Sequence, residues 1–330
     1  MEQQDWERVV TAATRAPSIH NTQPWLFTAS ADALEVRTDP ERALHVLDPA
    51  GRQRIISCGV AVEFSLVALR AAGFSAEAEL LPDAGDEDHL ATVRVTGTQE
   101  ASDDDRALAA AIQERHTERA AFEPRALPAG LVDRLQHDAA GYGVWVKPIT
   151  ESEEEVATVL LVSRAEELEQ GEPAYLAELE QWLRTDPGAP DGVPVGAVPG
   201  EDPATRPSNW LIRDFVVGSR GPARPAAGDP AAPPPPVERP AELLKGTMND
   251  DRRAGIEAGR SLGRLLLRVT DVGVVASPLT QALDWPATRR QLTTRLSLVG
   301  HPQMLLRLGY PAQRGTPSGR RPLGEVLRRI

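Results

Sequence analysis

The chain has 330 residues, a hydrophobic content of 41% and a formal net charge of −12 at pH 7, so it can bury the core of one large domain or of two ordinary ones. The acidic pI of about 5.1 argues against nucleic acid as the main partner, because phosphate backbones bind basic surfaces. The chain lacks an apolar run of about 18 residues or more, so we expect no membrane span.

Two features of the sequence favour a cytoplasmic protein. Cys58 is the only cysteine, which excludes an intrachain disulfide framework and suits a reducing compartment. We expect Cys58 to be a small buried apolar residue rather than a nucleophile. The first ten residues, MEQQDWERVV, carry mixed charge and do not have the basic and apolar regions of a signal peptide.

The first elements of the chain follow clear periodic patterns. Trp6, Val9, Val10 and Ala13 recur at helical spacing, which predicts a short amphipathic helix over residues 5–14 that ends before Pro17. The runs LFTA and LEVRT, separated by SADA, predict a β-hairpin. A mostly apolar helix is then predicted over residues 59–73, with a glycine as its C-cap.

A second stretch repeats the design of that apolar helix. Residues 59–73 (GVAVEFSLVALRAAG) and 259–273 (GRSLGRLLLRVTDVG) each run fifteen residues from glycine to glycine at an offset of 200. Chance is one explanation, since many buried helices end in glycine. Two related halves, each with a central buried helix, are the other. Gly255, Gly259 and Gly263 form a small-residue face that would let another backbone approach closely.

A proline-rich region, residues 184–240, separates the two helices. Fourteen of the 29 prolines fall between Pro187 and Pro240, including PPPP at 233–236, so regular structure cannot continue far. Long segments of this kind are lids, disordered insertions or plain loops. Only SNWLIRDFVV, residues 208–217, is apolar enough to dock on the rest of the protein.

Three polar stretches carry the candidate binding groups. RAPSIHNTQPWLF, residues 15–27, has too many turn formers for a helix and is too polar for a buried strand. ERHTERAAF, residues 114–122, offers the cations and hydroxyl that bind phosphate, although its arginines could also pair with neighbouring glutamates. RLGYPAQRGTPSGRRPLGEVL, residues 307–327, places two arginines after a Gly/Pro-rich loop.

Most of the usual catalytic and cofactor motifs do not occur. No P-loop, GxGxxG, CxxC or HxxxH pattern is present in the sequence. Ser18 and His20 are near neighbours, but no acid is signalled to orient them as a triad.

The three stretches together resemble the nitroreductase family. APSIHNTQPW, RHTERAAF and LGYP followed by RRPL are similar to its three FMN-contacting segments, and VTDVGVVASPL, residues 269–279, resembles its core helix and the following loop. The resemblance implies an α+β, nitroreductase-like FMN-binding fold. Family members are homodimers whose sites each combine the RxS-type segment of one subunit with the PSxxN-type segment of the other.

The order of the motifs resembles that of the Acg-type actinobacterial branch. Here the PSxxN-type segment comes first and the RxS-type segment follows about 100 residues later, each only once. The resemblance therefore implies two complementary tandem halves, residues 1–110 and 111–330, that form an internal pseudo-dimer with one composite FMN site. The insert or lid would occupy about 184–240. The chain would be a monomer or a homodimer.

The resemblance also implies roles for particular residues. Arg115, Thr117 and either Arg320 or Arg321 would hold the FMN phosphate, and Arg119 would lie near the pyrimidine edge, where a cation stabilises the reduced flavin. Ser18 and Asn21 would meet the ring and ribityl chain, while Trp25 would anchor the loop in the core rather than stack on the flavin. The full set of implied FMN-binding residues is Pro17, Ser18, Asn21, Gln23, Arg115, His116, Thr117, Arg119, Ser277, Pro278, Leu279, Arg320 and Arg321.

Two functions remain open at the level of the sequence. In the first, an oxidoreductase passes hydride from NAD(P)H through flavin N5 to a nitro, quinone or related small-molecule acceptor, with no protein acid or base required. In the second, a sequestering protein stores FMN with little turnover, because Trp210 and Phe215 of the insert cover the ring. Neither function involves a metal, a nucleic acid or a membrane.

Overall fold

A computed structural model describes residues 1–186, 188–195, 238, 240–312, 315 and 318–329. The α-helices in these ranges are α1 Gln3–Thr14, α2 Arg52–Ala71, α3 Asp103–Glu114, α4 Leu131–Ala140, α5 Ser152–Gly171, α6 Pro173–Glu180, α7 Arg252–Asp271, α8 Gln281–Asp284, α9 Pro286–Arg295 and α10 Leu323–Val326. Short 3₁₀ turns cover Ile19–Asn21 and Pro40–Arg42. None of the described helices is long and apolar enough to cross a membrane.

The strands form two main sheets, which confirms the mixed α+β architecture. The strands are β1 Trp25–Ala29, β2 Ala33–Thr38, β3 Phe74–Leu80, β4 His89–Thr98, β5 Val144–Ile149, β6 Leu183–Arg184, β7 Val193–Pro194, β8 Ala241–Thr247, β9 Val275–Pro278, β10 His301–Gly309 and β11 Leu327–Arg329. One sheet has the order β11-β1-β2-β4-β3 and the other β5-β8-β10-β9, while β6 and β7 pair separately. The predicted hairpin is confirmed as the antiparallel pair β1 and β2.

The C-terminal strand returns to the first sheet. β11 pairs in parallel with β1, so that Phe27 lies opposite Leu327. The two proposed halves are therefore interleaved, and a boundary at residue 110 falls inside α3, which runs from Asp103 to Glu114. The division of the chain into two related halves stays a prediction.

Both predicted central helices are present and begin earlier than their apolar patterns indicated. α2 starts at Arg52 because the Asp48 carboxylate accepts the backbone N–H groups of Gln53 and Arg54 at 3.1 and 2.8 Å. α7 starts at Arg252, where Asp251 caps the backbone N–H of Ala254. Each helix has 20 residues, and each is followed by a left-handed glycine two residues beyond its end, at positions 73 and 273.

The centre of the protein is the contact between α2 and α7. A Cβ atom at Gly59 would lie 2.4 Å from the carbonyl oxygen of Ile256, and one at Gly259 would lie 2.1 Å from the carbonyl oxygen of Ile56. The two contacts are related by the same offset of 200 residues that relates the helices. The small-residue face predicted on α7 thus allows direct backbone contact between the two helices.

The predicted insert is described only at its ends. Its interior, including residues 208–217 with Trp210 and Phe215, lies outside the described residues. Glu238, near its C-terminal end, is buried in an ion pair with Arg307 and accepts the backbone N–H of Phe122 at 2.6 Å.

Replacing Gly259 by alanine should destabilise the protein by about 1–3 kcal/mol or more, because the new methyl group overlaps the backbone of α2. Thermal unfolding monitored by circular dichroism measures this loss. Gly171→Ala is the control, since Gly171 is also a helical glycine, the last residue of α5, and a Cβ there meets nothing within 4 Å. Equal melting temperatures for the two variants would contradict the close approach of α2 and α7.

Candidate functional site

The loop between α1 and β1 has an unusual backbone. His20, Asn21 and Gln23 all adopt left-handed conformations, with φ values of 45°, 54° and 50°. Residues with a Cβ rarely adopt this conformation, so the surrounding structure must hold the loop. Ser18 contributes to this support because its Oγ accepts the backbone N–H of Gln23 at 2.9 Å. Ser57 Oγ on α2 accepts the backbone N–H of Ile19 at 3.2 Å.

Gln23 joins three separate parts of the chain. Its Nε2 donates to the carbonyl of Pro190 at 2.7 Å, and its Oε1 accepts the backbone N–H of Arg321 at 2.8 Å. Because Gln23 is fully buried and lines neither cavity described below, the structure gives it a supporting position rather than contact with a ligand. The predicted core position of Trp25 is confirmed by its complete burial.

The side chain of Asn21 also forms hydrogen bonds to the two segments that Gln23 contacts. Its Nδ2 donates to the carbonyl oxygens of Gly192 and Gly319 at 3.0 and 3.2 Å, and its Oδ1 accepts from Arg320 Nη1 at 3.3 Å. Residues 188–195, near the start of the predicted insert, therefore lie directly against the loop between α1 and β1. We call this loop the site loop.

An apolar cavity opens beside this loop, between α2, α7 and the ends of β9 and β10. It encloses about 940 Å³ including its mouth. Aliphatic side chains from both central helices and β10 form most of its wall, and a few polar groups stand at its edge. The lining residues are Pro17, Ser18, Ile19, His20, Gln53, Ile56, Ser57, Val60, Thr117, Arg119, Leu262, Leu266, Ala276, Ser277, Pro278, Thr280, Met304 and Leu306.

A smaller polar arm continues from the apolar cavity. The two share Pro17, Ser18, Thr117 and Arg119, so they lie side by side. The arm is lined by Arg15, Pro17, Ser18, Asn21, Arg115, His116, Thr117, Arg119, Ser318 and Arg320. We call this set the arginine arm.

Two guanidinium groups of the arginine arm meet at one backbone carbonyl. Arg115 Nη2 and Arg320 Nη2 donate to the carbonyl of Arg15 at 3.3 and 3.1 Å. Among the described residues, no partner meets the buried Nε and Nη1 atoms of Arg115 or the buried Nε atoms of Arg15 and Arg320. Burial and the adjacent cations lower the pKa of Arg115 well below its usual range, and burial with Arg15 lowers the pKa of Arg320 to about 10.

The segment that carries Arg115 is held along β9. Thr117 forms a parallel bridge with Ala276, and the N–H of Glu118 donates to the Ala276 carbonyl at 3.0 Å. Glu118 Oε1 accepts the backbone N–H groups of Arg119 and Ala120, and its Oε2 lies 3.7 Å from His116 Nε2. The hydrogen bond to the Glu118 carboxylate raises the pKa of His116.

The structure brings most of the predicted site residues together and separates three of them. Besides Gln23, Arg321 lies outside both cavities, because its Nη1 pairs with Asp39 Oδ2 at 3.0 Å. The geometry thus favours Arg320 of the two candidate arginines. Leu279, which the resemblance implied as an FMN-binding residue, packs in the core behind the cavity, and its backbone N–H donates to the Leu305 carbonyl.

Sequence reasoning missed several lining residues. Arg15 stands within the quoted first motif and could have been included as a cation beside a phosphate-binding segment. Gln53, Thr280, Met304 and Ser318 have no local signal, because only the tertiary fold brings them to the cavity.

The arrangement suits a ligand with a flat apolar part and an anionic end. Buried guanidinium donors without a carboxylate partner fit a phosphate, and the adjoining apolar walls fit a ring system. The described residues contain no group of three or more side chains that could hold a metal. Burial raises the pKa of the Cys58 thiol, in keeping with its expected role as a small core residue.

Comparisons with known proteins find relatives that are named nitroreductases. The chain is 35% identical over 325 residues to a protein of Mycobacterium tuberculosis strain H37Rv named "Putative NAD(P)H nitroreductase", covering 97% of this chain and 90% of the relative. It is 28% identical over 325 residues to "Putative NAD(P)H nitroreductase acg" of the same organism, covering 96% and 93%. No protein-family model matches the chain.

The chain is also similar to a solved structure, that of a nitroreductase with bound FMN from Desulfitobacterium hafniense. The TM-score is 0.42 at 10% sequence identity, covering 68% of this chain and 98% of that chain.

Removing Arg115 should have opposite effects on stability and on anion binding. In ligand-free protein, Arg115→Met should raise the melting temperature by a few degrees, because it removes a buried cation that lacks an anionic partner. It should also abolish the stabilisation that millimolar inorganic phosphate gives the wild type.

Differential scanning fluorimetry with and without phosphate measures both effects. The matched control is Arg321→Met, which breaks the pair with Asp39 outside the arm and should lower the melting temperature while keeping the response to phosphate. An undiminished phosphate response in Arg115→Met would show that the arginine arm does not bind the anion.

Proposed function

The chain belongs to the nitroreductase family of oxidoreductases, and from this premise we propose that it binds one FMN per chain and passes hydride from NAD(P)H to a nitro, quinone or related acceptor. The observation that carries the proposal is that the arginine arm adjoins the apolar cavity. A phosphate in the arm would neutralise the guanidinium groups of Arg15, Arg115 and Arg320, which have no carboxylate partner among the described residues. The ring system would then extend from the shared residues into the cavity.

Each wall of the site has a distinct part in holding the cofactor. Arg115 and Arg320 would bind the phosphate by charge-assisted hydrogen bonds, and Thr117 would add a hydroxyl donor, each charged contact contributing roughly 1.5–3 kcal/mol. Arg119, at the junction of arm and cavity, would lie beside the pyrimidine edge. Ser277 and Pro278 of β9 border the same cavity and would contact the ring through their backbone.

The proposed reaction does not require an acid–base set from the protein. When bound, FMN supplies the hydride-transfer chemistry at its N5 atom. The protein therefore needs to bind and orient the ring, exclude water and stabilise charge on the pyrimidine. Ile56, Val60, Leu262 and Leu266 exclude water, and the Arg119 guanidinium supplies a positive charge.

A second candidate function is storage of FMN with little turnover. The observation that favours it is the contact between the beginning of the insert and the site loop, through Gly192 and Pro190. If the rest of the insert covered the ring, it would exclude the nicotinamide. The two functions share the same FMN site and differ only in whether NAD(P)H reaches it.

One FMN per chain is the expected stoichiometry, because the arginine arm and the site loop each occur once in the sequence. Flavin absorbance after denaturation, divided by protein concentration from amino-acid analysis, measures it. A value of two would contradict the composite site, and Arg115→Ala combined with Asn21→Ala should bring the value close to zero.

Anaerobic addition of NADPH, and separately of NADH, should bleach the visible flavin band of the purified protein within seconds if the proposed oxidoreductase function is right. Dithionite serves as the control, since it reduces a flavin without needing a nicotinamide site. A band that resists both nucleotides yet disappears with dithionite would contradict the oxidoreductase proposal and favour storage.

A further inference from the structure

One polar side chain on the wall of the apolar cavity is held in a fixed orientation by a carboxylate. Gln53, in the first turn of α2, is 4% exposed and lines the cavity. Its Nε2 donates to Asp284 Oδ1 at 2.8 Å. Asp284, the last residue of α8, is held in turn by Arg52 Nη2 at 2.8 Å.

The pair with Asp284 determines which end of the amide faces the ligand. A carboxylate that is ion-paired with an arginine can only accept hydrogen bonds, so the amide nitrogen of Gln53 must point towards it. The other end, Oε1, is left for the cavity, and none of the described residues donates a hydrogen bond to it. The cavity thus presents a hydrogen-bond acceptor of fixed direction.

Neighbouring groups reinforce this orientation. Arg52 Nη1 also donates to the carbonyl of Gln303 at 2.8 Å, which anchors the arginine behind Asp284. Ser57 Oγ donates to the Gln53 backbone carbonyl at 2.7 Å and accepts from Ile19, so this hydroxyl is already committed. An acceptor buried in an apolar wall is useful when the ligand brings an N–H group to it, since unmet polar groups are costly there.

We propose that Asp284 is a positioning residue that fixes Gln53 Oε1 as the hydrogen-bond acceptor for the imide N–H of a bound flavin. The inference rests on the proposed function, because it assumes that the flavin ring occupies the apolar cavity. The imide N–H is the single donor on the pyrimidine rim, and the groups on either side of it are acceptors. An amide turned the other way would present N–H to N–H and lose this bond.

A pair of ligands that differ only at the imide nitrogen tests the proposal. The flavin-free full-length protein is titrated with FMN and with 3-methyl-FMN, both of which carry the phosphate, and flavin fluorescence gives the two dissociation constants. We expect the wild type to bind FMN about tenfold more tightly than 3-methyl-FMN. Gln53→Leu and Asp284→Asn should each reduce this preference to about twofold or less, since neither keeps a fixed acceptor.

Two variants separate this effect from general destabilisation. Asp138→Asn removes the carboxylate of a comparable pair with Arg268, outside both cavities, and should keep the wild-type preference. Gln53→Leu leaves the pair between Asp284 and Arg52 intact, so it remains informative if Asp284→Asn does not fold.

Three outcomes would overturn the proposal. The first is equal binding of the two flavins by the wild type, and the second is an unchanged preference in Gln53→Leu. The third is an unchanged preference for FMN over 3-methyl-FMN in Asp284→Asn, together with a raised KM for NAD(P)H. That result would assign the acceptor to the nicotinamide carboxamide instead. If the wild type bound neither flavin, the proposed function itself would fail along with this inference.

Discussion

The direct backbone contact between α2 and α7 is the constraint on which the rest of the structure depends. Gly59 and Gly259 meet where any side chain would overlap the opposite helix. This close approach brings Ile56 and Val60 of one helix within the same cavity wall as Leu262 and Leu266 of the other. The cavity is therefore a product of the helix crossing, and its width is set by the two glycines.

Electrostatics at the site oppose stability in the free protein. Arg115 and Arg320 both donate to the carbonyl oxygen of Arg15, and no described carboxylate lies among the hydrogen-bond partners of these three arginines. By contrast, Arg321, one residue along, pairs with Asp39, and the buried Arg307 pairs with Glu238. The chain neutralises these other arginines with carboxylates, so the arginines of the arm are the ones that a bound anion would stabilise.

Much of this architecture could be predicted from the sequence, and the failures have physical reasons. The hairpin and both central helices follow from periodicity, while the early start of α2 depends on the cap from Asp48, which an apolar pattern does not reveal. The choice between Arg320 and Arg321 was open because adjacent residues in a loop can point in opposite directions. Gln53 carried no signal, since Asp284, which orients it, lies 231 residues away.

The site loop near the N-terminus is completed by residues from the far end of the chain, with consequences for biosynthesis. Asn21 and Gln23 bond to residues 319 and 321, and Phe27 of β1 lies opposite Leu327 of β11. Because translation proceeds from the N-terminus, none of these contacts can form until residues 319–329 have left the ribosome. The loop between α1 and β1 therefore reaches its observed conformation only after a segment 298 residues further along the chain has been made, and a change in that segment would alter the loop.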